Sequence, residues 1–233
     1  MSPNPTPAPT PEQTQQTETH KELDKSEKED SGRNFELFWL RGEIGGTYMN
    51  MKQFSSDTLQ LENASAGGPM VGFAAGVRLV ILLLGARLRY NALSSYNMWQ
   101  INGELGLKFP IGSFDLLIGG HGGYSFVGSL GDASVATNQN VPSDKDQVKI
   151  RGFNAGLDFA LDYYVSKNFS VGVGLFGDFL FLNRPPVDKP AGFAQLPQDQ
   201  QDAVNNDPLY QKSGTSFGFA AGGALRLGLH LGL

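Results

Sequence analysis

The sequence predicts an all-β protein: an eight-stranded antiparallel up-and-down transmembrane β-barrel over residues 35–233, behind a disordered N-terminal tail over residues 1–34. Three observations carry that prediction. The last nine residues, Leu225-Arg-Leu-Gly-Leu-His-Leu-Gly-Leu233, alternate an apolar residue with a polar or tiny one without a break. Successive side chains of a strand point to opposite faces, so this segment has one leucine face and one face of Arg226, Gly228, His230 and Gly232. The same alternation recurs upstream in segments of the ~9–11 residues or more that a tilted membrane strand needs. Finally, Arg41, Glu43, Arg78, Arg87, Arg89, Glu104, Asp158, Asp178 and Arg226 all fall on the parity opposite the apolar residues. A soluble eight-stranded barrel would reverse this, with apolar residues inside.

The tail is read first. Residues 1–34 hold four basic and seven acidic residues and thus carry −3 of the chain's net −5. With almost no apolar side chains this stretch cannot bury a core and is expected to be disordered. It lacks the basic start and apolar core of a secretory signal, although export of a barrel requires one, so a native signal is expected to have been removed.

Eight strands follow. The first, roughly 36–50, sets Phe38, Leu40, Ile44 and Tyr48 against Arg41, Glu43, Gly45 and Thr47. The second, roughly 68–79, sets Val71, Phe73, Ala75, Val77 and Leu79 against Gly72, Ala74, Gly76 and Arg78. The third, roughly 83–92, sets Leu84, Ala86, Leu88 and Tyr90 against Gly85, Arg87, Arg89 and Asn91. Arg78 is even and Arg87 odd, so the phase flips between them and a tight turn is expected near Val80–Leu83. The fourth, roughly 97–109, sets Trp99, Ile101, Leu105, Leu107 and Phe109 against Gln100, Asn102, Glu104, Gly106 and Lys108. Asn102-Gly103 is ordinarily a hairpin signal, but the alternation runs through it and predicts strand.

After a turn at Pro110–Ser113, the fifth strand, roughly 114–126, sets Leu116, Ile118 and Tyr124 against Leu117, Gly119, His121 and Gly123. The sixth, roughly 148–163, sets Phe153, Ala155, Leu157, Phe159, Leu161 and Tyr163 against Gly152, Asn154, Gly156, Asp158 and Asp162. Ser166–Asn168 turns the chain into the seventh, roughly 169–182, with Phe169, Val171, Val173, Leu175, Phe179 and Phe181 opposite Gly172, Gly174, Phe176 and Asp178. The eighth is roughly 215–233 and is expected to close the barrel against the first. Short links at 80–83, 110–113 and 164–168 alternate with links at 51–67, 93–96, 127–147 and 183–214, the pattern of periplasmic turns and external loops, which puts both termini in the periplasm.

Composition excludes other classes. The longest apolar run, Leu79 to Leu84, is far short of the ~20 residues of a spanning helix. Cysteine is absent, so disulfides and thiolate metal sites are excluded. A net charge of −5 offers no footprint for nucleic acid.

The segments Gly76-Val-Arg-Leu79, Leu84-Gly-Ala-Arg-Leu-Arg-Tyr90, Trp99-Gln-Ile-Asn-Gly-Glu-Leu-Gly-Leu107 and the terminal strand resemble small eight-stranded outer-membrane proteins of the OmpA transmembrane type, closest to the outer membrane β-barrel proteins of myxobacteria-like Gram-negatives. The resemblance covers residues 35–233 and implies a bacterial outer-membrane location, contact with outer-membrane lipid and insertion by the barrel-assembly machinery through the C-terminal strand. Such strands usually end in Phe; here Leu233 holds that place. Relatives include anchors, small pores and receptors, so the resemblance bears on architecture more than on activity.

Two candidate sites follow from parity. Arg41, Glu43, Arg78, Arg87, Arg89, Glu104, Asp158, Asp162, Asp178 and Arg226 form an expected lumen charge network. Eight strands enclose only enough space for side chains or one small ligand, so pairing that plugs the lumen is expected, and a water-filled channel is the alternative. Arg226 is expected to meet Glu43 or Asp158. Nearer the external rim, Met49, Met51, Met70, Met98, Phe176, Leu180 and Leu182 point inward. They form either a small core that caps the lumen or a vestibule for a small apolar or amphipathic ligand, since methionine suits adaptable apolar surfaces.

Other motifs reduce to structure. Gly172-Val-Gly-Leu-Phe-Gly177 matches a dinucleotide-binding pattern, but it lies inside an alternating strand where no helix follows. His121 and His230 face the lumen and are expected to be packed or hydrogen-bonded rather than metal-bound. No external loop offers the histidine that a surface lipid hydrolase would need. The loop over 184–214 is the longest; Pro185-Pro186 opens it, Gln195–Asn205 has weak helical potential, and such loops commonly carry recognition. The expectation is a monomeric, non-enzymatic barrel without cofactor or metal, structural or surface-interacting, with a small pore or apolar-ligand carrier as the alternative.

Overall fold

The computed structural model of the chain describes residues 36–51, 65–129 and 149–232; the expected tail and Leu233 lie outside them. Eight strands form a closed antiparallel barrel in chain order: β1 (Glu36–Asn50), β2 (Ser65–Leu79), β3 (Leu82–Ala92), β4 (Asn97–Ile111), β5 (Phe114–Ser129), β6 (Arg151–Ser166), β7 (Phe169–Arg184) and β8 (Gly214–Gly232). The seam is the expected one. β8 pairs with β1 so that Leu40 faces Leu229, Glu43 faces Arg226 and Ile44 faces Leu225. Closure pairs every strand on both edges, which is what an apolar surrounding demands of backbone polar groups.

Each strand sorts its side chains by parity. Ile44, Phe73, Leu105, Phe153, Leu157, Leu175 and Leu225 on the outer face are more than half exposed, whereas their neighbours on the other parity are buried or half-buried in the lumen. Aromatic residues gather at both heights of the outer wall. Tyr90 and Trp99 meet at 4.6 Å and Phe181 and Phe217 at 4.9 Å toward one end; Phe114 and Tyr163 meet at 5.1 Å toward the other. Two aromatic girdles bounding an apolar band are the outer surface of a lipid-facing barrel.

The end of the barrel that carries the start of β1 and the end of β8 also carries the three tightest turns. β2 passes to β3 through Val80 and Ile81 alone, so the phase flip inferred from Arg78 and Arg87 is resolved in two residues. Val80 takes φ 60°, in the left-handed region, which a β-branched side chain adopts only under strain. Arg78 Nε donates to Val80 O at 2.7 Å and holds the turn. Gly112, also at φ 60°, begins the two-residue turn from β4 to β5, where it is the residue type the geometry asks for.

Strand limits differ from expectation at the opposite, loop-bearing end. β2 begins at Ser65 rather than near 68, and β7 continues to Arg184 rather than 182. β6 begins at Arg151 rather than near 148. Asn102-Gly103 lies within β4, as the unbroken alternation requires. The link 93–96 is short for a loop because Leu93 N donates to Tyr96 O at 3.1 Å and both side chains turn inward and are buried. The long segment after β7 is folded: a 3-10 turn at Phe193–Gln195 precedes helices α1 (Gln198–Asn206) and α2 (Pro208–Gln211). Arg184 ties its base, donating to Pro185 O at 3.1 Å and to Lys212 O at 3.0 Å. Gly172 and Gly177 lie inside β7, so the glycine pattern there precedes no phosphate-binding helix.

Candidate functional site: the lumen

The lumen is layered along the barrel axis. At the turn-bearing end, Trp39, Ala74, Leu83, Leu117 and Ala160 form a small apolar cluster. Trp39 was not expected there, because it stands between two outward residues, Phe38 and Leu40, and looks like part of an apolar run. Its indole lies against the wall: a Cβ on Gly76 would come 2.6 Å from Trp39 Cζ2, and one on Gly85 would clash with Cζ2 and Cη2. Trp39 Nε1 donates to Val77 O at 3.2 Å. Two glycines thus make the seat for one tryptophan.

Around this cluster lie Arg78 and Lys108, each 3.3 Å from an Asp115 carboxylate oxygen, with Lys108 Nζ donating to Tyr164 OH at 2.7 Å. Arg78 belongs to the expected network; Asp115 does not, although it has the inward odd parity of Leu117 and His121. Ser170 Oγ and His230 Nε2 meet at 2.8 Å and tie β7 to β8.

The middle layer holds the remaining nine residues of the expected network. Arg41 Nη2 contacts both Glu104 oxygens at 2.7 and 2.9 Å, and its Nε donates to Glu43 at 2.8 Å. Arg87 joins Glu104 at 2.9 Å and binds Asp158 through two parallel contacts of 2.9 and 3.2 Å. Arg89 lies 3.5 Å from Glu43 and 3.7 Å from Asp178, with its guanidinium 3.7 Å from the centre of the Phe176 ring. Arg226 lies 3.5 Å from Asp162 and 3.9 Å from Glu43. The expected partner Glu43 is therefore near, but Asp158 is not a partner of Arg226: it is taken by Arg87 and His121. The Arg41–Glu104 pair joins β1 to β4, Arg87–Asp158 joins β3 to β6, and Arg89–Asp178 joins β3 to β7. Each spans the lumen between strands that are not neighbours in the wall.

His121 joins this layer. Its Nδ1 lies 2.5 Å from Asp158 Oδ2 and its Nε2 2.8 Å from Asp178 Oδ1. With both carboxylates ionised, both contacts are hydrogen bonds only if both nitrogens donate, the arrangement of an imidazolium. That charge matters to the balance. Arg41, Arg87, Arg89 and Arg226 face Glu43, Glu104, Asp158, Asp162 and Asp178, one carboxylate in excess, and a cationic His121 makes the set neutral. Gln100 completes the layer by donating to Asp178 at 2.9 Å.

Toward the loop-bearing end the contents become apolar. Met49, Met51 and Met98 are fully buried and pack in one cluster with Leu93, Tyr96, Ile150, Leu180, Leu182 and Val187. Met70 is buried as well, and Phe176 lies beneath Arg89 at the boundary with the charged layer. Ser216 Oγ donates to Met51 O, fastening β8 to the end of β1. Burial raises the ionisation of the Tyr96 hydroxyl above the ordinary tyrosine range, with Tyr48 adding to the effect.

The chain matches no family model and no curated protein sequence. Among solved structures it is similar to neisserial surface protein A, with a TM-score of 0.50 and 12% identity over 83% of this chain and 97% of that one. Others are the outer membrane protein OprG of Pseudomonas aeruginosa, with TM-score 0.46, 12% identity and 86% and 99% coverage, and the N-terminal barrel domain of OprF from the same organism, with 0.39, 12%, 82% and 98%. At 12% identity the first of these establishes a shared fold.

Proposed function

We propose that this protein is a bacterial outer-membrane β-barrel whose lumen is closed by its own side chains, and that it works as a structural or surface-interaction protein rather than as an enzyme. The carrying observation is the sorting of charge: ion pairs span the lumen between non-adjacent strands while the outer wall is an apolar band between aromatic girdles. The void bordered by Arg41, Glu43, Arg87, Arg89, Asp158 and Arg226 measures about 20 Å³, room for about one water. Above it, the four methionines are each at most 1% exposed, which favours a cap over a ligand vestibule.

In this reading the turn-bearing end, with both termini and the acidic tail, is periplasmic, and the helical segment after β7 faces outward. That segment presents a polar ledge, with Gln198, Asp199, Asp202, Asn205 and Asn206 exposed and Val204 buried beneath, the surface a recognition loop would offer. The C-terminal strand serves as the insertion signal, and one copy suffices, because closure leaves no strand edge for a second.

Single-channel recording in planar bilayers tests the reading. The full chain, inserted, is expected to pass no steady current at moderate voltage. Long, reproducible openings would instead make it a pore.

A further inference from the structure

The outer wall carries one charge that the sorting of the strands does not explain. Among the strand residues whose side chains are described, Arg41, Glu43, Arg78, Arg87, Arg89, Glu104, Lys108, Asp115, Asp158, Asp162, Asp178, Arg184 and Arg226 all have inward parity and are buried, apart from Asp158, which is only mostly so; Arg151 alone has outward parity. It stands at the loop-bearing end of β6, exposed, in register with Phe126 on β5 and with Asn183 on β7, which in turn faces Thr215 on β8. The next outward row toward the middle of the wall is wholly aromatic: Tyr124, Phe153, Phe181 and Phe217, each the register partner of the next. Tyr124 meets Phe153 edge-on at 5.8 Å and Phe181 meets Phe217 at 4.9 Å. These two rows line a groove of about 560 Å³, within the size range of small-molecule sites.

We propose that this groove binds a phosphate-bearing lipid, with its acyl chains against the aromatic row and its phosphate on the Arg151 guanidinium. The inference rests on the membrane reading above and adds a named partner chemistry to it. The height is right: an outward Arg costs ~2–4 kcal/mol at mid-bilayer but ~0–1 near the interface, and the aromatic row beneath it marks the interface. The chemistry is right as well, because a planar guanidinium matches two phosphate oxygens at once. Asn183 and Thr215 set an amide and a hydroxyl in the same row, and Lys149, exposed two residues away, adds positive charge toward the same rim. Elsewhere the outward rows carry no charge among the strand residues whose side chains are described, so an acyl chain would find many places to lie; among those residues, only here does it find a cation above it.

The test is native mass spectrometry of the full chain in dodecyl maltoside, titrated with dioleoylphosphatidylglycerol. Dioleoylglycerol supplies the same chains without phosphate, and inorganic phosphate supplies the group without chains. One retained phosphatidylglycerol is expected, with dioleoylglycerol retained far less and inorganic phosphate failing to displace the lipid. Arg151→Gln is expected to weaken retention about tenfold, the loss of one charge-assisted contact, whereas Lys167→Gln, at the opposite end, leaves it unchanged. Equal retention of the two lipids, an unchanged Arg151→Gln, or an equal loss in both variants overturns the site. Displacement by inorganic phosphate makes it an anion site and overturns the lipid. Both variants lie on the surface, and heat-modifiable gel mobility reports whether each is folded. Insertion into dioleoylphosphatidylcholine vesicles separates the two readings: a chain that does not insert refutes the membrane barrel itself, and one that inserts without discriminating between the lipids refutes the site alone.

Discussion

Arg87 on β3 and Asp158 on β6 face each other across the lumen as a two-pronged ion pair, with contacts of 2.9 and 3.2 Å. Asp158 also meets His121, so one carboxylate holds a guanidinium and an imidazole from different strands. Removing it leaves Arg87 on Glu104 alone and His121 on Asp178 alone. Asp158→Ala is expected to destabilise the barrel by roughly 3–5 kcal/mol in reversible urea unfolding, the cost of breaking one side of a buried pair. Replacing Arg87 and Asp158 together by Met and Leu should cost far less, because no charge is then left unpaired. A double variant as damaged as Asp158→Ala would mean that the pair itself is not the source of the loss.

Trp39 and Trp99 are the two tryptophans, one in the lumen and one on the outer girdle. Gly85→Ala would drive a methyl group against the Cζ2–Cη2 edge of Trp39 and force the indole off its seat. The expected result is a red shift in the emission of a Trp99→Phe background, with a loss of about 1–3 kcal/mol. An unmoved spectrum would show that the seat is not fixed by the glycines.

The turn at Val80 stores strain. Val80→Gly relieves a left-handed valine at an exposed position, and a gain of about 1 kcal/mol in unfolding free energy is expected, the strain released exceeding the added freedom of the unfolded chain. A destabilised variant would contradict the left-handed turn.

Tyr96 provides a handle on the cap. Its ionisation is raised by burial, so the neutral phenol is the form the folded barrel keeps. A raised folded value contributes stability that is present in full below the ordinary tyrosine range and is lost as pH rises through and beyond it. Absorbance at alkaline pH should therefore show a tyrosine contribution that fails to appear until the barrel unfolds, and Tyr96→Phe should reduce it by one residue. Titration of Tyr96 with the exposed tyrosines would mean that the cap is open to solvent.

The apolar band is testable by position. Leu105, 56% exposed near mid-wall, changed to Arg should cost ~2–4 kcal/mol in lipid vesicles; Val165, 61% exposed near the turn-bearing end, changed to Arg should cost ~0–1. Equal costs would place the membrane elsewhere on the wall.

Most of the wall was legible in the sequence because a closed barrel is a period-two object, and parity alone decides which way a side chain points. That is why all ten residues of the expected network lie in the lumen, and why the phase flip at Val80 could be located without a single turn residue. The period is harder to read at strand ends and where apolar residues stand on both parities, as at Trp39, which shares the odd number of Arg41 and Glu43. Trp39 lies among apolar neighbours on both sides. Asp115 and Arg151 are the second residue of β5 and the first of β6, outside the clearest stretch of alternation, yet the same odd-number rule places one inward and the other outward. Pairing within the lumen is not written in the period at all. Arg226 meets Asp162 and Glu43 rather than Asp158, because strand tilt and side-chain reach, not sequence distance, set which charges meet.

The seam between β1 and β8 has a consequence for the making of the protein. Phe38 pairs with Leu231, so the first strand of the barrel waits for the last to emerge before its outer edge is satisfied. Any sheet formed without β8 is an open ribbon with two raw edges and an apolar back, ready to pair with another strand. The ring cannot be assembled in stable halves; it is completed in one late, long-range step whose closing entropy is met only when all the other pairings are already waiting. A chain without β8 would lose its pairing to β7 and to β1 together, and the ring with it; until that strand arrives the unpaired edges must be covered by something else.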